Sequence, residues 1–229
     1  MPLTPPELTP LEEFAEDGRL LARSERLEGL PHGRVERFGP GGLPQLDAHY
    51  RQGVLDGPLK VFDEDGTLIQ EACYQAGKTH GLSRLFSNGR CIAEQQYVHG
   101  RLEGESIFYD EGGNITARQN FRLGRLEGMS QFFAQGRLLR KAHYRAGLLD
   151  GESSDYDPQG RLVQLATYRA NVLHGLTRRF GADGKPREEL VYRNGQLLTQ
   201  PPLLSPPASP ATAAADRGLL ARIEQLLKG

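Results

Sequence analysis

Seven side chains suited to proton transfer or metal ligation recur in one column of the sequence: His32, Asp56, His80, Glu103, Glu127, Asp150 and His174. Each stands directly before a glycine, from Gly33 to Gly175. Acids and histidines are the groups that general acid–base catalysis and metal sites use. The spacing argues against both roles. If each repeat is a hairpin, equivalent positions in successive repeats lie two strands apart, about 10 Å. Metal ligands converge to about 2 Å from one ion, and a general base must reach hydrogen-bond distance of its proton. The column is therefore read as polar residues that stabilise turns. His49, His99 and His143 occupy single strand or turn positions and are read as surface residues.

Other catalytic signatures fail on their own terms. Gly77-Lys78-Thr79 has the ending of a P-loop, but Ala72 stands where the motif needs glycine, and no strand-to-helix switch follows. No Gly-x-Ser-x-Gly elbow, Ser-His-Asp order or Cys-x-x-Cys pair occurs. Cys73 and Cys91 fall at different repeat positions and read as reduced strand residues. The sequence thus predicts no enzyme, no cofactor and no metal. A net charge of −1 removes the basic excess that phosphate tracking needs, so no nucleic-acid partner is expected. The Met1–Glu7 start lacks a basic segment and an apolar stretch of the secretory kind, which predicts a cytoplasmic protein.

The elements that would position these side chains follow from a period of about 24 residues, the mark of a repeat array. A turn glycine recurs at Gly18, Gly42, Gly66, Gly89, Gly113, Gly136, Gly160 and Gly184. A second aromatic follows eight residues later at Tyr50, Tyr74, Tyr97, Phe121, Tyr144, Tyr168 and Tyr192. Another aromatic column, Phe14 to Phe180, precedes the glycine by about four residues. Between these points the pattern alternates: offsets two, six and eight from the glycine tend to be apolar or small, offsets one and five charged or polar. Such alternation predicts strands with one covered and one wet face. Asp-Glu-Asp-Gly, Asp-Glu-Gly-Gly and Asp-Pro-Gln-Gly read as hairpin turns whose last residue has φ > 0. Asn171, alone among glycines in its column, fits the same left-handed requirement.

The predicted fold class is all-β: an elongated, single-layer antiparallel sheet of tandem β-hairpins, about fourteen to sixteen strands, with a short C-terminal helix. Residues 1–13 form a Pro-rich leader, 14–199 the array, 200–215 a Pro/Ala-rich linker and 216–229 an amphipathic helix. Leu219, Leu220, Ile223, Leu226 and Leu227 share one face of that helix, which is too short to stand alone. It caps the sheet or docks on a partner. Arg90, Arg118, Arg137, Lys141 and Arg161 are candidates for a partner-binding polar face, against the plainer reading of solvated charge.

The unit Tyr-x-x-Gly-x-x-x-Gly-x-x-x-x-Phe-x-x-x-Gly-x-Leu, as in Tyr50 to Leu68 or Tyr144 to Leu162, resembles the MORN-repeat variant of bacterial YwqK-type antitoxin and immunity proteins. The resemblance implies a non-enzymatic protein that neutralises a cognate toxin or secreted effector by direct binding, type VI phospholipases among the effectors. The alternative it implies is a structural or adaptor scaffold that binds proteins or phospholipid membranes. Mixed Arg, Glu and Asp on the polar face count against anionic lipid, which favours a basic excess.

Overall fold

The computed structural model describes residues 7–199, and in these residues every regular element is a strand. The chain divides into two compact units: Met1–Ile115 with Phe121–Gly124, and Thr116–Asn120 with Arg125–Gly229. In the first unit the strands are β1 (Thr9–Phe14), β2 (Leu20–Leu27), β3 (Leu30–Phe38), β4 (Pro44–Arg51), β5 (Val54–Phe62), β6 (Leu68–Gln75), β7 (Lys78–Thr79), β8 (Gly81–Ser87), β9 (Arg90–Val98) and β10 (Arg101–Tyr109). From β1 to β6 each pairs antiparallel with the next, the short β7 and longer β8 both pair with β6, and β8, β9 and β10 pair in turn. Strand β11 (Ile115–Arg122) contributes residues to each unit.

The second unit continues the pattern with β12 (Arg125–Leu126), β13 (Gly128–Ala134), β14 (Arg137–Arg145), β15 (Leu148–Tyr156), β16 (Leu162–Arg169), β17 (Val172–Phe180), β18 (Pro186–Arg193) and β19 (Gln196–Thr199). From β13 to β19 each strand is antiparallel to its successor, and β11 pairs with β13. With β7 counted with β8 and β12 with β13, the described residues form 17 strands, above the number expected from the sequence. Part of the difference is β1, which begins at Thr9, inside the Pro-rich leader. Pro10 lies opposite Glu25 of β2, one residue inside the start of β1, where a proline costs the ladder least. The linker and the helix with Leu219, Leu220, Ile223, Leu226 and Leu227 lie outside the described residues.

One row of small side chains forms the core of each unit. In the first it includes Ser24, Val35, Ala48, Leu59, Ala72, Ser83 and Ser106; in the second Ser130, Ala142, Ser153, Ala166, Thr177 and Leu190. Val35 lies opposite Ala48 and Leu59 opposite Ala72, as Ser130 lies opposite Ala142 and Ser153 opposite Ala166. The covered face expected from the alternation is thus reduced to a single line. Ala48 and Ala142 are completely buried although the described residues place no second layer of secondary structure over them, so the larger side chains of flanking rows shade them. Residues one row away, among them Leu46, Val61 and Leu85, are only half-buried.

Candidate binding surface

The turns define two rims, and the seven-residue column works at one of them. There, two-residue turns join β2 to β3, β4 to β5 and their equivalents, with φ of 48–53° at the first residue and 68–87° at the second. Positive φ at both positions is the type I′ geometry that matches strand twist. The first positions are Glu28, Gln52, Ala76, His99, Leu123, Ala146, Ala170 and Asn194, mostly residues for which a left-handed backbone is unfavourable.

The column holds these strained residues in place. Ala76 N–H donates to Asp56 Oδ2 (3.2 Å), Leu123 N–H to Glu103 Oε2 (2.8 Å), Ala146 N–H to Glu127 Oε2 (2.8 Å) and Ala170 N–H to Asp150 Oδ2 (3.3 Å). His32 and His174 accept in the same way through Nδ1, from Gln52 and Asn194, both at 3.4 Å. The following turn residue is clamped by the backbone: Gly77 N–H donates to Leu55 O, Gly100 N–H to Thr79 O and Asn171 N–H to Leu149 O, each at 2.8 Å. Six of the seven column residues therefore fasten the turn of the next repeat, about twenty residues on, and His80 is the exception.

The opposite rim carries the Asp-led turns. Asp63 accepts from Thr67 N–H (2.8 Å) and Asp65 N–H (3.0 Å) through Oδ1, while Gly66 N–H closes the turn onto Asp63 O. Equivalent backbone donors, Asn114 above all, hold the Asp110 carboxyl below the ordinary carboxylate range. Arg161 N–H does so for Asp157, and Lys185 N–H for Asp183. The turn glycines Gly42, Gly66, Gly89, Gly113, Gly136, Gly160 and Gly184 share φ of 73–80°. A Cβ on Gly113 would meet no atom within 4 Å, so the demand there is backbone conformation alone.

Glycine before the bulge is different. The register shifts between Ala48 and Tyr50, and Gly57 sits in that irregularity with φ of 126°. A Cβ at Gly57 would lie 2.8 Å from His49 Cβ. Gly57 also faces Tyr74 across the strands, as Gly33 faces Tyr50, Gly81 Tyr97, Gly128 Tyr144, Gly151 Tyr168 and Gly175 Tyr192. These tyrosines are half-buried, and burial pushes the Tyr97 phenol up from its ordinary value. Phe121 takes the same repeat position.

Between the rims, the two faces of each unit are open. In the first unit, the row beside the small-residue core runs Leu46, Val61, Gln70, Leu85, Ala93 and Phe108, each opposite the next. The other face carries a charge ladder: Glu12, Arg23, Glu36, Asp47, Lys60, Glu71, Arg84 and Glu94. Arg84 bridges Glu71 (3.4 Å) and Glu94 (3.1 Å), which raises its pKa. Arg34 grips Asp47 with two hydrogen bonds of 3.0 and 2.9 Å and holds that carboxyl below its usual range.

In the second unit charge stands on both faces. Beside the core, Arg140 pairs with Asp155 (3.4 Å) and Arg179 with Glu188 (2.9 Å). On the other face the row is Arg118, Gln131, Lys141, Ser154, Leu165, Arg178 and Glu189. The sequence candidates therefore separate. Arg118 and Lys141 belong to this row, with Lys141 between Gln131 and Ser154. Arg90, Arg137 and Arg161 instead reach along the rim to carbonyls of the next turn, at Glu111, Pro158 (2.6 Å) and Ala182 (3.3 Å). Cys73 and Cys91 are free thiols.

Residues 55–76, 102–122 and 173–194 match the MORN repeat variant. MORN repeats are in general protein- or membrane-binding repeats. The matched stretches 55–76 and 173–194 each enclose a complete fastening, Asp56 on Ala76 and His174 on Asn194. No curated protein matches the chain. Among solved structures, the crystal structure of TcdB2-TccC3-Cdc42 aligns over 80% of this chain at 11% identity with a TM-score of 0.22. The chain spans 13% of the length of that protein, and at this score the likeness carries no argument. No helix among the described residues is long and apolar enough to cross a membrane.

Proposed function

We propose that these MORN repeats form a non-enzymatic platform for a protein partner, and that the partner is a cognate toxin or secreted effector held inactive by direct binding. The observation that carries the binding reading is the half-buried row Leu46, Val61, Leu85 and Phe108 in the first unit, bounded by the Tyr50, Tyr74 and Tyr97 column. Among the described residues no layer of strands covers that row, and its position is fixed by turns pinned from both sides. A surface built of short repeats loses little conformational entropy on binding, which favours tight association. The resemblance of the unit to YwqK-type antitoxins supplies the class of partner.

The test is co-purification of the tagged full chain from its native cell extract, with mass spectrometry of what stays bound at high salt. One stoichiometric enzyme, active again after separation, is the expected result. Val61→Asp with Leu85→Asp should release it, whereas Lys60→Ala on the opposite face should not. Many weak partners, or lipid in the eluate, would overturn the antitoxin reading in favour of an adaptor scaffold.

A further inference from the structure

We propose that His80 and His99 form a binding site for a divalent transition-metal ion of the zinc, nickel or copper class, on the rim of the first unit. The column residue of every other repeat from His32 to His174 accepts a hydrogen bond from the strained turn residue of the next repeat. At His80 that bond is replaced. The residue it would fasten is His99, and the two imidazole rings lie with centroids 5.2 Å apart, tilted by 57°. His80 Nδ1 is buried and has no hydrogen-bond partner. A buried ring nitrogen without a partner is a group whose satisfaction calls for water or an ion.

The spacing fits one ion. With metal–nitrogen bonds of about 2.0–2.1 Å, two imidazoles on a tetrahedral ion place their ring centroids about 5 Å apart. The backbone is held at His80, whose N–H donates to Cys73 O, and at Gly100 beside His99, whose N–H donates to Thr79 O, each at 2.8 Å. His99 is exposed on its type I′ turn with φ of 50°, so solvent reaches the pair. Two imidazoles select zinc, nickel or copper over magnesium and calcium, which require oxygen ligands. Among the described residues no three His, Cys, Asp or Glu side chains converge, so two protein ligands hold the ion and water completes its coordination. Binding at this place ties one repeat to the next, as the carboxylates do elsewhere.

Zinc chloride titrated into the full chain, followed by calorimetry and thermal melting, tests the proposal. The expected result is saturable one-to-one binding that raises the melting temperature, with no response to magnesium chloride. His99→Asn should weaken zinc binding by about tenfold or more and abolish the thermal shift, because it removes one of two ligands. Asparagine already occupies the same left-handed turn position at Asn194 and Asn88, so the variant preserves the backbone. His99→Gly serves as a second variant with the same turn tolerance. Zinc binding as tight in both variants as in the parent chain would place the ion on side chains other than this pair, among them the free thiols Cys73 and Cys91, and overturn the proposal.

Discussion

The two units share their rim chemistry and differ on the face beside the core. Acidic side chains fasten left-handed turn residues in both, Asp56 and Glu103 in the first, Glu127 and Asp150 in the second. Beside the small-residue core, however, the first unit presents Leu46, Val61, Leu85 and Phe108, and the second presents the Arg140–Asp155 and Arg179–Glu188 pairs. On the other face of the first unit five acids (Glu12, Glu36, Asp47, Glu71, Glu94) meet three bases (Arg23, Lys60, Arg84). The rim chemistry is constrained by backbone geometry, which every repeat shares. Face residues have only to pair with their cross-strand neighbours, so each unit is free to present its own surface.

The sharpest way to break this comparison is at the glycines. Gly57→Val should cost the first unit about 3 kcal/mol or more, since left-handed strain adds to a clash with His49. Gly113→Val, where nothing lies within 4 Å, should cost about 1–3 kcal/mol from strain alone. Equal losses in denaturant melts would show that the close approach at the bulge is immaterial.

The core row offers a gain in both units. Ser106 and Ser130 bury hydroxyls without hydrogen-bond partners, where alanine stands in other repeats. Ser106→Ala and Ser130→Ala should each stabilise the protein by about 1 kcal/mol, read as a raised midpoint of unfolding. A drop in either would mean that the hydroxyl has a partner after all.

Removing a fastening should matter equally on either side of the comparison. Glu103→Ala and Glu127→Ala are each expected to destabilise by about 1 kcal/mol, with faster amide exchange at Leu123 and Ala146 respectively. If one variant were silent, the rims would differ between units. The charge pairs should matter less. Arg84→Gln on one face and Arg140→Gln on the other should each change stability by less than about 1 kcal/mol, with the difference shrinking as salt is added.

The smallest effect is on pH dependence. Asp110 in the first unit and Asp157 and Asp183 in the second have carboxyls lowered by turn N–H donors. A lowered folded-state value means a contribution fully present above the unfolded value of about 3.9, and lost as pH falls through the folded values below it. Carboxyl NMR titrations should therefore give midpoints below about 3.9 for all three. A midpoint at the free value would remove that turn from the account.

Much of the rim was legible in the chain. The period, the Asp-led turns and the left-handed glycines follow from local rules that act over four residues, and Asn171 confirmed its column with φ of 68°. The turn residue before each glycine was missed, because Gln52, Ala76 and Leu123 have no intrinsic preference for positive φ. Their fastening by Asp56 or Glu103 is a contact between residues about twenty apart. That contact, like the approach of His80 to His99, joins two different repeat positions on neighbouring hairpins, which the period of a single column does not contain.

Sequence alone determined that this protein is a run of antiparallel hairpins, because alternation and turn chemistry are local and every repeat states them again. Only the tertiary structure decided what the polar residues do. The register shift at Gly57 sets how far a side chain at position 56 reaches along the rim, and cross-strand pairing sets which charges meet on which face. Arg90, Arg137 and Arg161 became turn fasteners, and Lys141 stayed on an open face, for that reason. Period-two alternation specifies a side of the sheet, whereas a contact depends on the neighbouring strand's offset, which the bulges fix.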